Sequence, residues 1–117
     1  MDHKELDVWK KSMDLVVVIY DITSKFPSDE RFGLISQMRR AAVSIPSNIA
    51  EGAARRGDKE FIQFLMIALG SLSELETQYL LSIRLNFVQK EVEVITKIVA
   101  VKKLILGFRN YLKNKIE

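Results

Sequence analysis

Arginine and lysine side chains are the groups in this chain whose spacing could support chemistry, and that chemistry is phosphate binding. Residues 31–60 hold six bases against three acids, and residues 88–117 hold seven bases against three acids. Binding a polyanion requires several cations that converge on one surface. Aromatic residues do not alternate with these bases, so we expect contacts with the phosphate backbone and little reading of base sequence. The predicted nucleic-acid-binding residues are Arg39, Arg40, Arg55, Arg56, Lys102, Arg109 and Lys113.

Groups suited to catalysis or to metal binding are much scarcer. The chain has no cysteine, and its one histidine is His3. Glu74 and Glu76 are two residues apart and therefore point away from each other on a helix. The Glu-x-x-His motif of di-iron bundles does not occur, and the glycines are too scattered to form a phosphate-binding loop. We expect no catalytic residue, no metal ion and no cofactor, and hence a protein that is not an enzyme.

The composition indicates a single helical domain over residues 1–117. This length is sufficient for one hydrophobic core, and a hydrophobic content of 48% with only two prolines favours helices. No apolar run reaches the ~18–20 residues needed to cross a membrane, and no signal peptide precedes the first amphipathic segment. We therefore expect a cytoplasmic protein that has no membrane-spanning helix. Nothing in the chain points to a small-molecule substrate.

The segment from Leu34 to Arg55 positions three of the predicted basic residues and contains a proline in its middle. An apolar seam runs through Pro46 at helical spacing without a change of phase, which favours one long kinked helix. Ser44 and Ser47 are available to bond the loosened backbone. The alternative is two helices with Pro46 at the first position of the second, but isoleucine at position 45 is a poor N-cap.

Three further helices are predicted on either side of this segment. They cover about Leu6–Lys25, Asp58–Leu85 and Val88–Lys115, and residues 1–5 form a flexible lead. Ser28 is expected to cap the start of the kinked helix, with Gly57 just after its end. Short links between helices of this length predict an all-α fold, an antiparallel up-down-up-down four-helix bundle with a proline-kinked second helix.

Two helices carry more surface suited to contacts than a single four-helix bundle can cover. The first half of helix three is apolar around most of its circumference, and helix two carries a second apolar face and a polar face besides its core seam. This surplus predicts a homo-oligomer. The residues expected at its interface are Pro46, Asn48, Glu51, Phe64 and Ile67. For Glu51 the alternative is an intrahelical ion pair with Arg55, four residues on.

A sequence string in helix two resembles a known family. RRAAVSIPSNIAEGAAR, with DVWKKSMDL before it and FIQFLMIALGSLSELETQ after it, is similar to the four-helix-bundle proteins encoded in intervening sequences of bacterial 23S ribosomal RNA. The resemblance implies a small bacterial bundle that assembles as a ring-like homo-oligomer, a pentamer. Relatives of that family include accessory proteins of diversity-generating retroelements, which resemble scaffolds that bind RNA and reverse transcriptase.

Two functions fit these observations. The first is an oligomeric scaffold that binds structured RNA, or an RNA-binding enzyme, through a basic surface. The second is an interaction oligomer made of protein alone, in which the arginines are structural or solvated. Most charged stripes on helices are solvated faces, which favours the second interpretation for any one arginine considered singly.

Overall fold

Four α-helices account for most of the chain. The computed structural model describes residues 1–116 and contains α1 (Asp7–Thr23), α2 (Ser36–Ala53), α3 (Asp58–Arg84) and α4 (Val92–Ile116). Short 3-10 turns at His3–Glu5 and Ser28–Glu30 and a π-helical turn at Arg31–Ile35 precede α1 and α2. No strand occurs between Met1 and Ile116. The predicted all-α class and the number of helices are confirmed.

The four helices enclose one core. α1 packs against α2, α2 against α3, α3 against α4, and α4 against α1, within overall dimensions of 48 × 24 × 20 Å. Apolar residues at heptad spacing predict core seams in α3 (Phe61, Leu65, Ala68, Leu72, Leu75 and Tyr79) and in α4 (Val94, Ile98, Val101, Ile105, Phe108 and Leu112). These seams and that of α2 are buried throughout, except that Phe108 is half-buried. This packing is that of a helical bundle.

The core uses only one of the two apolar seams of α1. Leu15, Ile19 and Ile22 are fully buried, whereas Met13 and Tyr20 of the other seam are each 42% exposed. A helix with apolar residues on two seams can bury both only if two partners flank it. Trp9 and Val16 of that seam are partly buried, so in the single chain the second seam of α1 is only partly covered.

The entry to α2 differs from the prediction. Ser28 does not cap the helix; the carboxylate of Glu30 accepts a hydrogen bond of 3.2 Å from the backbone N–H of Leu34. Gly33 makes this possible, because a Cβ at that position would lie 2.8 Å from Glu30 Oε1. At the other end α2 stops at Ala53, and Gly57 is extended backbone directly before α3. Gly57 therefore belongs to the start of α3 and is not the C-terminal cap of α2.

Pro46 lies inside α2, which continues from Ser36 to Ala53 without interruption. The prediction of one helix through the proline is confirmed, while its kink stays a prediction. The expected backbone bond from Ser44 is wrong, because its hydroxyl forms a 2.8 Å hydrogen bond with that of Ser71 on α3. Asn48 bonds the local backbone instead, donating from Nδ2 to the carbonyl of Ser44 at 2.8 Å.

The start of the chain packs against α1. His3 lies in the first 3-10 turn, and its ring meets Trp9 edge-on with 5.1 Å between the ring centroids. The flexibility expected of residues 1–5 stays a prediction. Within residues 1–116 no helix is both long and apolar enough to cross a membrane.

Candidate nucleic-acid interface

Arg39 and Arg40 are neighbours in sequence but have different surroundings. Arg39 donates from Nε to Thr23 Oγ1 at 2.9 Å and from Nη2 to the carbonyl of Tyr20 at 3.3 Å. Its guanidinium carbon also lies 4.5 Å from the centroid of the Tyr20 ring. These contacts join the first turns of α2 to the last turns of α1. Arg40 is exposed, so its charge faces the solvent.

Arg55 and Arg56 lie in the turn between α2 and α3. Arg55 forms a 2.9 Å ion pair with Glu51 and covers the ring of Phe64 at 4.9 Å. The intrahelical alternative considered for Glu51 is thus present in the single chain. Arg56 is exposed. Because Arg55 is already engaged, Arg56 is the one of the two whose cation is more available to a ligand.

The end of α4 lies beside this turn. Lys115 forms a 3.4 Å ion pair with Asp58, the first residue of α3. Arg109 Nη1 lies 3.9 Å from the sulfur of Met66 and also donates to Asn110. Lys113 is exposed, as is Lys102 three turns earlier on α4. The structure therefore brings Arg55, Arg56, Arg109 and Lys113 to the same end of the molecule, which we call the basic end.

Arg39 and Arg40 do not belong to the basic end. They precede Arg55 and Arg56 by 16 positions, and helical rise separates the two pairs by roughly 20 Å. In one chain the seven predicted residues thus form two groups, with Lys102 between them along α4. The seven predicted residues therefore do not form one compact cluster within a single chain.

The predicted interface residues also have unequal surroundings. Asn48 Nδ2 bonds Ser44 Oγ at 2.9 Å on the side of α2 that faces α3. Phe64 is half-buried beneath Arg55 and next to Gly52, where a Cβ would lie 2.8 Å from Phe64 Cβ. Much of the apolar surplus of α3 is therefore covered within the chain. Ile67, at 51% exposed, is the most exposed of the apolar residues predicted at the interface.

Pro46 is buried and lines an open cavity between α1 and α2. The cavity has a volume of about 340 Å³, and its walls are almost wholly apolar. We call it the apolar groove; its main lining residues are Trp9, Met13, Val16, Val43, Pro46 and Ala50. The sequence reasoning missed this groove, although the two seams on α1 were its signal.

A second cavity of about 460 Å³ continues from the apolar groove, with Val43 lining both. Three arginines and two aromatic rings line it: Arg31, Arg39, Arg40, Tyr20 and Phe32. We call it the arginine–aromatic cavity. Sequence reasoning missed it because Tyr20 lies far in sequence from the arginines. The signal that was present is Phe32, placed directly after Arg31 in the turn before α2.

Comparison with known proteins gives a family and a fold. The family described as 23S rRNA-intervening sequence protein matches residues 4–107. A crystal structure of a protein of unknown function from the S23 ribosomal protein family of Bacteroides thetaiotaomicron is also similar, with a TM-score of 0.80 and 26% sequence identity. The match covers 87% of this chain and 97% of that one, whereas no curated protein matches. Because the family match covers most of its length, the chain belongs to the 23S rRNA-intervening sequence protein family.

Proposed function

We propose that this protein is a non-enzymatic homo-oligomeric scaffold that binds structured RNA, or the RNA of a ribonucleoprotein partner. The observation that carries the proposal is the combination of an open apolar groove with a separate basic end. An apolar groove supports assembly with other copies, and a basic end supports contact with phosphates. The family name refers to ribosomal RNA, and the resemblance to accessory proteins of diversity-generating retroelements is in keeping with this function.

Assembly is supported by the exposed apolar side chains around the groove. Val17 is 69% exposed on α1, and Met13, Tyr20 and Val43 are each at least 40% exposed. An exposed apolar surface of this kind marks an interaction site more often than a solvated face. The family resemblance implies that the oligomer is a ring-shaped pentamer, and we place it in the cytoplasm. Five basic ends in one ring would produce a stronger positive field than a single chain does.

The arrangement of the helices belongs to the same proposal. We infer an antiparallel up-down-up-down bundle. Contacts between opposite ends of consecutive helices support it. Thr23 at the end of α1 bonds Arg39 near the start of α2, and Asp58 at the start of α3 pairs with Lys115 at the end of α4. We also infer a kink in α2 at Pro46, because a proline in a helix interior removes one backbone hydrogen bond and presses on the preceding turn.

A protein-only oligomer is the second candidate, and a specific observation favours it. Arg39, Arg55 and Arg109 each contact other side chains of the chain. Three of the seven predicted RNA-binding residues therefore have structural roles that need no nucleic acid. On this interpretation the basic end is solvated, and the groove alone carries the function.

Assembly is tested by light scattering coupled to gel filtration. A pentamer of the 13.4 kDa chain has a mass of 67 kDa. A mass near that of one chain at micromolar concentration would refute the homo-oligomer under either candidate function. An oligomer of another size would refute only the pentamer.

RNA binding is tested by the salt dependence of affinity for a structured RNA hairpin. Arg56→Gln combined with Lys113→Gln removes two exposed charges from the basic end. The slope of log affinity against log salt should fall by about 2, since each lost phosphate contact lowers it by about 1. Lys10→Gln combined with Lys11→Gln on α1 is the control, with the same loss of charge and an unchanged slope expected. Negligible affinity even at low salt would favour the protein-only oligomer.

A further inference from the structure

The arginine–aromatic cavity has a composition that the basic end lacks. It lies between the last turns of α1, the π-helical turn and the first turns of α2, and it is open to solvent. Its eight lining residues include three arginines and no acid. Like charges placed side by side repel one another unless an anion lies between them. The cavity is therefore suited to a ligand that carries negative charge.

The arginines of this cavity are positioned differently from one another. Arg39 is held rigidly by Thr23 and by the backbone and ring of Tyr20. Its remaining guanidinium N–H donors have no hydrogen-bond partner among residues 1–116. Arg40 is exposed beside it. A guanidinium held by hydrogen bonds next to an exposed one is a suitable arrangement for two oxygens of one phosphate.

The aromatic rings supply a second kind of contact. Phe32 is 87% exposed, the highest exposure of the large hydrophobic side chains. Arg31 lies 5.7 Å from the centroid of its ring, and its remaining surface is open to solvent. A flat apolar ring at the edge of a cationic cavity is the platform on which single-stranded nucleic acids stack their bases. The ring of Tyr20 is less available, since Arg39 already covers one face.

We propose that the arginine–aromatic cavity binds an unpaired nucleotide of single-stranded RNA, with the base stacked on Phe32 and the phosphate against Arg39 and Arg40. The sequence indicated no base stacking because no aromatic residue alternates with the basic stripes. The fold creates the combination by bringing the turn that holds Phe32 next to the arginines of α2. This inference rests on the proposed RNA binding and adds a preference for unpaired segments.

The test compares a fluorescent 12-nucleotide oligoadenylate with a 12-base-pair RNA duplex at low salt. Phe32→Ala should weaken oligoadenylate binding about tenfold, as the loss of one stacking ring does. It should leave duplex binding unchanged, because paired bases offer no free face. Phe32→Tyr retains an aromatic ring and should retain affinity. Arg40→Gln should lower the affinity for both the oligoadenylate and the duplex, and it should lower the slope of log affinity against log salt by about 1.

Val92→Ala is the matched control, since Val92 is 76% exposed on α4, away from the cavity, and oligoadenylate binding should not change. Phe32→Trp gives a direct readout, because a base stacked on the new tryptophan should quench its fluorescence. The wild-type protein, whose only tryptophan is Trp9, gives the background change to subtract.

Two outcomes would overturn this inference alone, and a third would overturn the proposed RNA binding together with it. Equal affinity of Phe32→Ala and wild type for oligoadenylate would remove the stacking site while leaving RNA binding intact. A change in oligomer mass with Phe32→Ala, without a change in RNA affinity, would show that the cavity is a contact between proteins. No binding of either RNA by the wild type would overturn the RNA arm of the proposed function and this inference together.

Discussion

The two flanks of α2 differ in how completely they are covered. Toward α3 the flank is closed, with Ser44 bonded to Ser71 and Gly52 packed so tightly that a Cβ would overlap Phe61 and Phe64. Small residues on one helix allow a neighbouring helix to approach closely. This flank is part of the bundle core and leaves no space for a partner.

Toward α1 the flank is open, although its residues are also small to medium in size. Val43, Pro46 and Ala50 face the bulky side chains of Trp9 and Met13, which leave the apolar groove between them. The comparison shows that small residues allow close packing only where the opposing helix also has a surface that fits. The open flank is the part of α2 that has space for a second copy.

The largest expected effect comes from a charge placed in the open flank. Met13→Glu should raise the dissociation constant of the oligomer at least ~100-fold, because an unpaired carboxylate would be buried at the contact. The stability of the single chain should change by less than ~0.5 kcal/mol, since the site is exposed there. Sedimentation velocity measures the first effect and urea unfolding of the dissociated chain the second. Val92→Glu is the control, and dissociation by that variant alone would place the contact on α4.

The next effect concerns the closed flank. Gly52→Ala should lower the free energy of unfolding by about 1–2 kcal/mol, because overpacking against Phe61 and Phe64 outweighs the gain in helix propensity. Gly70→Ala is the matched control. Nothing lies within 4 Å of the added methyl group, so this variant should be about 0.5–1 kcal/mol more stable. Urea unfolding that shows the same sign for both variants would contradict the close packing of α2 on α3.

A smaller effect is expected for the proline on the open flank. Pro46→Ala restores a backbone N–H and removes the cost of a proline inside a helix. Because the variant also loses packing of the proline ring, the net stabilisation of the single chain should be about 1 kcal/mol. It should also weaken assembly, because the kink and the groove wall both change. Unchanged oligomer mass together with raised thermal stability would show that the proline has no role in assembly.

The smallest effect is expected for the hydroxyl pair between α2 and α3. Ser71→Ala removes the bond to Ser44 and should cost about 0.5–1 kcal/mol. The cost is limited because Ser44 Oγ still accepts from Asn48. Ser73→Ala, exposed one half-turn away, should stay within ~0.5 kcal/mol of wild type in urea unfolding. If Ser73→Ala lowered the free energy of unfolding as much as Ser71→Ala does, the hydrogen bond between Ser44 and Ser71 would contribute nothing to stability.

The sequence by itself determined the helices and their inner faces. Periodicity placed the core seams of α2, α3 and α4, because a helix brings residues three and four apart onto one face regardless of its neighbours. It also showed that Pro46 lies within a helix, since the seam keeps its phase through that position. Its charge distribution marked the basic segments. Helix ends were less predictable, because the cap at Glu30 depends on a turn that includes Gly33.

Only the tertiary structure decided which surplus faces are covered and which charges meet. Phe64 was a predicted interface residue, but the guanidinium of Arg55 covers its ring within the molecule. The second seam of α1 is only partly covered by α2, which leaves the apolar groove open between the two helices. The physical reason is that burial and charge proximity depend on distances between helices. Sequence periodicity describes the faces of one helix at a time and contains no information about those distances.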